Sequence, residues 1–91
     1  MFLRLVRFKL SDAARAQAMA HELITAIKQQ PGCQHAVFFA ADDGESGLAV
    51  LWDTQQHADA AAGLIRPQLE RHLQGAVAAP PEARLFPVLA S

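Results

Sequence analysis

The chain has 91 residues, 52% of them hydrophobic, and eight Lys and Arg against nine Asp and Glu leave a formal charge of −1. That length makes one domain, expected to span residues 1–91 and to bury about 60–65% of its unfolded surface, so an interface would add materially to stability. Balanced charge without a block of one sign argues against nucleic acid as the main partner. A single cysteine, Cys33, excludes an internal disulfide and a cysteine-based metal cage and fits a reducing cytoplasm.

Residues 2–9 read as a strand, with Phe2, Arg4, Val6 and Phe8 on one face and Leu3, Leu5, Arg7 and Lys9 on the other. Charge at every second or third residue makes this segment neither a signal h-region nor a membrane span. Ser11 or Asp12 is expected to cap a helix whose apolar stripe is Ala16, Met19, Ala20, Leu23 and Ile27. Arg15, Glu22, Thr25 and Lys28 stay outside that stripe. Pro31-Gly32 ends the helix, because proline cannot continue it and disfavours helical geometry in Gln30.

A second strand is expected over residues 34–41, with Val37 and Phe39 on one side and Ala36 and Phe38 on the other. Asp42 to Ser46 reads as the hairpin turn. The strand that follows, Gly47 to Trp52, is apolar on both faces: Leu48, Val50 and Trp52 on one, Ala49 and Leu51 on the other. Such a strand is covered on both sides. A helical region then runs from about Asp53 to Gln74, with a break expected between Gly63 and Arg66 and Pro67 opening a new short helix. The loop Gly75 to Pro81 leads to a last strand over 82–89, and Pro87 marks that strand as an edge or marks its end.

Strand, helix, strand, strand, helix, strand is the order of a ferredoxin-like α+β sandwich with a four-stranded antiparallel sheet. Its helices cover one sheet face. The other carries Leu3, Leu5, Ala49 and Leu51, more apolar surface than a monomer normally leaves open, so a homodimer through the sheet faces is expected.

Pro31-Gly32-Cys33 before the second strand, and Leu51-Trp52-Asp53 running into Thr54-Gln55-Gln56-His57, resemble the antibiotic biosynthesis monooxygenase-like family of dimeric α+β barrels. The likeness covers essentially the whole chain. It implies a ligand cavity between sheet and helices, lined by the strand tryptophan, here Trp52. The family includes cofactor-independent oxygenases of anthrone- or quinol-type aromatics and haem-degrading enzymes. His72 sits where haem-degrading members have a late-helix histidine, but the position of their first-strand asparagine is about Val6, and the chain has no asparagine. The ring oxygenases are described with tyrosine, asparagine and arginine beside the tryptophan. Tyrosine is absent too, and Arg66 alone answers to that description.

Each of these residues also has a plain structural reading. Trp52 is either core or a platform for a planar substrate. His72 is a partly buried, hydrogen-bonded residue or a general base, and Arg66 a surface residue or the partner of an enolate or carboxylate. Arg4 shares the face of Val6, where a buried guanidinium needs a partner or a ligand, unless it snorkels to water. With Trp52, Arg4 and Val6 form the expected substrate-binding set, and His72 and Arg66 the catalytic one. No two histidines stand at a ligand spacing within one element, so a metal site is not expected, and the resemblance to cofactor-independent oxygenases implies no other cofactor. Cys33 has no visible activating base, and His21, His35 and His57 receive no role. Two function classes follow. One is a monooxygenase of a planar aromatic or quinol-type molecule working without cofactor; the other is a non-enzymatic ligand-binding or structural dimer of the same fold.

Overall fold

The structure, a computed structural model, describes residues 1–10, 13–73 and 82–90; the side chains of Ala13, His72 and Leu73 lie outside that set. Its elements are β1 (Phe2–Lys9), α1 (Ala13–Lys28), β2 (Cys33–Ala40), β3 (Glu45–Trp52), α2 (Gln55–Leu73) and β4 (Glu82–Pro87). The strands form one antiparallel sheet in the order β2-β3-β1-β4, the ferredoxin-like arrangement expected from the element order. β1 and β3 are interior, β2 and β4 are edges, and Pro87 sits at the end of an edge strand where its missing amide does least harm.

Alternation along paired strands sorts the sheet into two faces. Val6, Phe8, Leu48, Val50, Trp52 and Ala36 point to the helices and join Met19, Leu23 and Ile27 of α1 and Ala58, Ala61 and Leu69 of α2 in one core. Phe8 and Phe38 meet edge to face at 5.8 Å within it. Leu3, Leu5, Ala49 and Leu51 lie half-buried on the opposite face, beside exposed Val37 and Phe39. On that face a Cβ at Gly47 would come within 2.4 Å of the Phe39 ring, so the absence of a side chain lets the ring lie across β3. The guanidinium of Arg84 stacks 4.8 Å from the centroid of Phe86, on the same side.

Three expectations need correction. The hairpin turn is shorter than Asp42 to Ser46: Ala41 N donates to Glu45 O at 2.7 Å, and Gly44, at φ +89°, makes the bend, so pairing resumes at Glu45. The last strand stops at Pro87 instead of residue 89, although Val88 N still donates to Met1 O at 2.9 Å. Helix α2 is continuous from Gln55 to Leu73 and contains Pro67, with no break between Gly63 and Arg66. The physical reason lies on its outer face. Pro67 cannot bond the carbonyl of Gly63, but both residues are exposed, so that carbonyl is open to solvent, while Ala58, Ala61, Ile65 and Leu69 hold the inner face to the core without interruption. The cap expected at Ser11 or Asp12 and the loop 75–81 fall outside the described residues.

Candidate functional site

Between α2 and the sheet lies a cavity of about 390 Å³. Its floor is sheet: Val6 of β1 and Leu48, Val50 and Trp52 of β3. Its roof is the inner face of α2, where Ala58 and Ala62 are too short to fill the space over those strands. Four of the expected site residues, Arg4, Val6, Trp52 and Arg66, line this one cavity. Trp52 is only 1% exposed, so it is a core residue and a cavity wall together. Register places it between Phe2 on β1 and Cys33 on β2. Arg66 is exposed at the cavity's edge. The fifth, His72, belongs to α2, but its side chain is outside the described residues.

Arg4 carries the most informative geometry. It stands between Val50 and Leu85 in the sheet register, with its side chain 21% exposed. Its Nη2 donates to Oδ1 of Asp59 on α2 at 3.2 Å, and Asp59 is itself 60% exposed. Its Nε is buried and has no hydrogen-bond partner among the described residues. A buried donor without a partner costs the desolvation of a polar group, the more so on a cation.

Two carboxylates that the sequence did not single out belong to this region. Asp59 holds Arg4, and Glu70 lines the cavity four positions after Arg66. The i, i+4 spacing from Arg66 was the available signal for Glu70. Asp59 answers a strand residue, so it had none.

At the end of β3 a second polar cluster ties three segments together. Thr54 caps α2 by accepting from His57 N at 3.1 Å. His57 Nδ1 meets Oδ1 of Asp53 at 2.7 Å, and this hydrogen bond is the first cause holding the Asp53 carboxyl below its ordinary range. Asp53 N donates to Gly32 O at 2.9 Å. Gly32 has φ +83°, and a Cβ there would lie 2.2 Å from Asp53 Oδ1, so the turn accepts no side chain. His57, given no role from sequence, is thus a structural partner. Cys33, which follows Gly32, is half-buried, and burial pushes its thiol up, away from the reactive thiolate.

A larger cavity of about 550 Å³ lies at the opposite end, between α1 and the β2–β3 hairpin, with Gln17, Asp42 and Asp43 among its lining. Of the expected site residues, Arg4, Val6, Trp52 and Arg66 do not line it. We therefore take the smaller cavity as the candidate site. Among the described residues no three of His, Cys, Asp and Glu stand close enough to hold a metal ion, and no helix is long and apolar enough to cross a membrane.

No known family profile and no curated protein matches the sequence. Solved structures do match the fold. An antibiotic biosynthesis monooxygenase superposes with a TM-score of 0.81 at 12% identity, over 99% of this chain and 100% of the other. SnoaB, a cofactor-independent oxygenase from Streptomyces nogalater, gives 0.80 at 16% identity, over 99% and 94% of the two chains. A monooxygenase from the gene ActVA-Orf6 of Streptomyces coelicolor, solved in complex with the ligand nanaomycin D, gives 0.73 at 22% identity, over 99% and 88%. The chain therefore has the fold of the antibiotic biosynthesis monooxygenases, the family that its sequence resembles.

Proposed function

We propose that this protein is a cofactor-independent monooxygenase acting on a planar aromatic or quinol-type molecule bound between α2 and the sheet. The observation that carries the reading is the convergence of Arg4, Val6, Trp52 and Arg66 on one cavity. The fold it shares with SnoaB and with the ActVA-Orf6 monooxygenase supports the same chemistry. In this reading Trp52 and Val6 form a flat, dry surface against the ring, Arg66 favours a deprotonated ring oxygen, and Arg4 helps to hold the substrate. His72 is proposed as the base that creates it. The substrate anion reduces oxygen directly: a ring CH2 becomes a carbonyl, one oxygen atom stays on the ring, and the other leaves as water with the two displaced hydrogens. No external reductant enters that balance.

The working unit is proposed to be a homodimer of single-domain chains, sheet face to sheet face, in the cytoplasm. The uncovered Leu3, Leu5, Ala49, Leu51 and Phe39 motivate the dimer. A single-chain mass by light scattering at micromolar concentration would sink that part. Haem degradation is not expected, since Val6 stands where an asparagine would be needed; stoichiometric haem binding with a Soret band that decays under reductant would contradict this.

The test of the activity uses the sole tryptophan as reporter. Planar aromatics should quench Trp52 fluorescence, and anthrones among them should consume one oxygen molecule per ring carbonyl formed. His72→Ala should abolish turnover with little loss of binding, because a base acts on the reaction and contributes little to ground-state affinity. Quenching without oxygen uptake across the panel favours the non-enzymatic binding dimer instead.

A further inference from the structure

We propose that the cavity is built for a planar aromatic that carries a carboxylate, and that Asp59 is a stand-in counter-ion which this carboxylate displaces from Arg4. The inference rests on reading the cavity as a ligand site and adds the chemical class of the ligand.

Arg4 presents a side-on fork, the Nε–H and the neighbouring Nη2–H pointing the same way, which matches the two oxygens of a carboxylate. Only half of that fork is used. Nη2 reaches Asp59 at 3.2 Å, and Nε, although buried, reaches nothing among the described residues. Asp59 is 60% exposed, so water already stabilises its charge and the exposed end of the pair contributes little. A ligand carboxylate lying within the cavity takes both donors at once, satisfies the buried Nε and releases Asp59 to solvent. A neutral carbonyl or amide offers one acceptor in place of two and leaves the guanidinium charge uncompensated. The rest of the lining suits an aromatic body: Val6, Leu48, Val50, Trp52 and Ile65 offer no hydrogen-bonding group to a ring except the indole N–H.

Calorimetry with two probes of one shape, 2-naphthoate and 2-naphthamide, tests this. The protein should bind the carboxylate about tenfold more tightly than the amide, with that preference falling as salt rises. Arg4→Met should erase the preference, bringing naphthoate affinity down to that of naphthamide. Asp59→Asn, at an exposed helix position where folding is not at risk, should tighten naphthoate by about threefold to tenfold and leave naphthamide alone. Equal affinity for the two probes overturns the carboxylate inference and leaves the cavity reading standing. A preference that survives Arg4→Met, or an Asp59→Asn protein that binds naphthoate more weakly, overturns it as well. Failure of both probes to bind removes the cavity reading and this inference with it.

Discussion

The two helices lie on the same side of one sheet and treat it differently. Helix α1 presents Met19, Leu23 and Ile27, all at most 1% exposed, to the strands beneath it, and leaves the larger cavity where Ala16, Gln17 and Ala20 face the β2–β3 hairpin. Helix α2 presents Ala58, Ala61 and Ala62 before Ile65 and Leu69, and the missing side-chain volume over Leu48, Val50 and Trp52 is the cavity. Both are amphipathic helices with an uninterrupted inner stripe. Where Met19, Leu23 and Ile27 stand, α1 fills; where Ala58 and Ala62 stand, α2 leaves room, and side-chain size separates the two.

Truncating the filled half should produce the largest effect. Leu23→Ala removes a fully buried side chain from α1 and should cost about 2–5 kcal/mol, read as a fall in the urea midpoint with the slope unchanged. Filling the empty half should do the reverse of damage. Ala62→Leu projects into the cavity and should weaken aromatic binding at least about tenfold while changing stability by less than about 1.5 kcal/mol. A large loss of stability there would mean the space is already closed. On the outer face of α2, Gly63→Ala meets no atom within 4 Å and should stabilise by about 0.5–1 kcal/mol without touching ligand affinity.

The smallest effect is expected at the cluster that anchors the start of α2. Asp53 has a lowered folded-state pKa, so the unfolded chain binds more protons between the folded value and about 3.9. Its stabilisation is therefore complete above that ordinary value and is lost as pH falls through the folded one. Asp53→Asn should flatten the acid limb of a melting-temperature profile and leave the neutral region nearly parallel to the parent.

Much of the core is legible in the residues themselves. The alternation in Leu48, Val50 and Trp52 and the period of Ala16, Met19, Leu23 and Ile27 set the core, because burial follows those periods closely. Arg4, Val6, Trp52 and Arg66 were picked individually, yet their meeting around one cavity depends on β1 pairing with β3 beneath α2, which no local pattern encodes. The expected break before Pro67 misjudged a local rule, since the rule says what proline removes and not whether solvent can replace it. The Arg4–Asp59 pair, 55 residues apart, and the packing of Gly32 on Asp53 and His57 are tertiary contacts with no sequence period behind them.

The place of β1 in the sheet has a further consequence for how the chain acquires its shape during synthesis. β1 pairs with β3 on one side and β4 on the other, so it leaves the ribosome before either partner exists. Its first edge waits for Trp52 to emerge and its second for Pro87. Closing such distant pairs costs chain entropy before any contact rewards it, and an interior strand left with both edges open can recruit a neighbouring nascent chain. Arg4, Arg7 and Lys9 stand along that strand. Besides anything they do in the finished fold, these charges keep β1 from pairing with copies of itself during the interval.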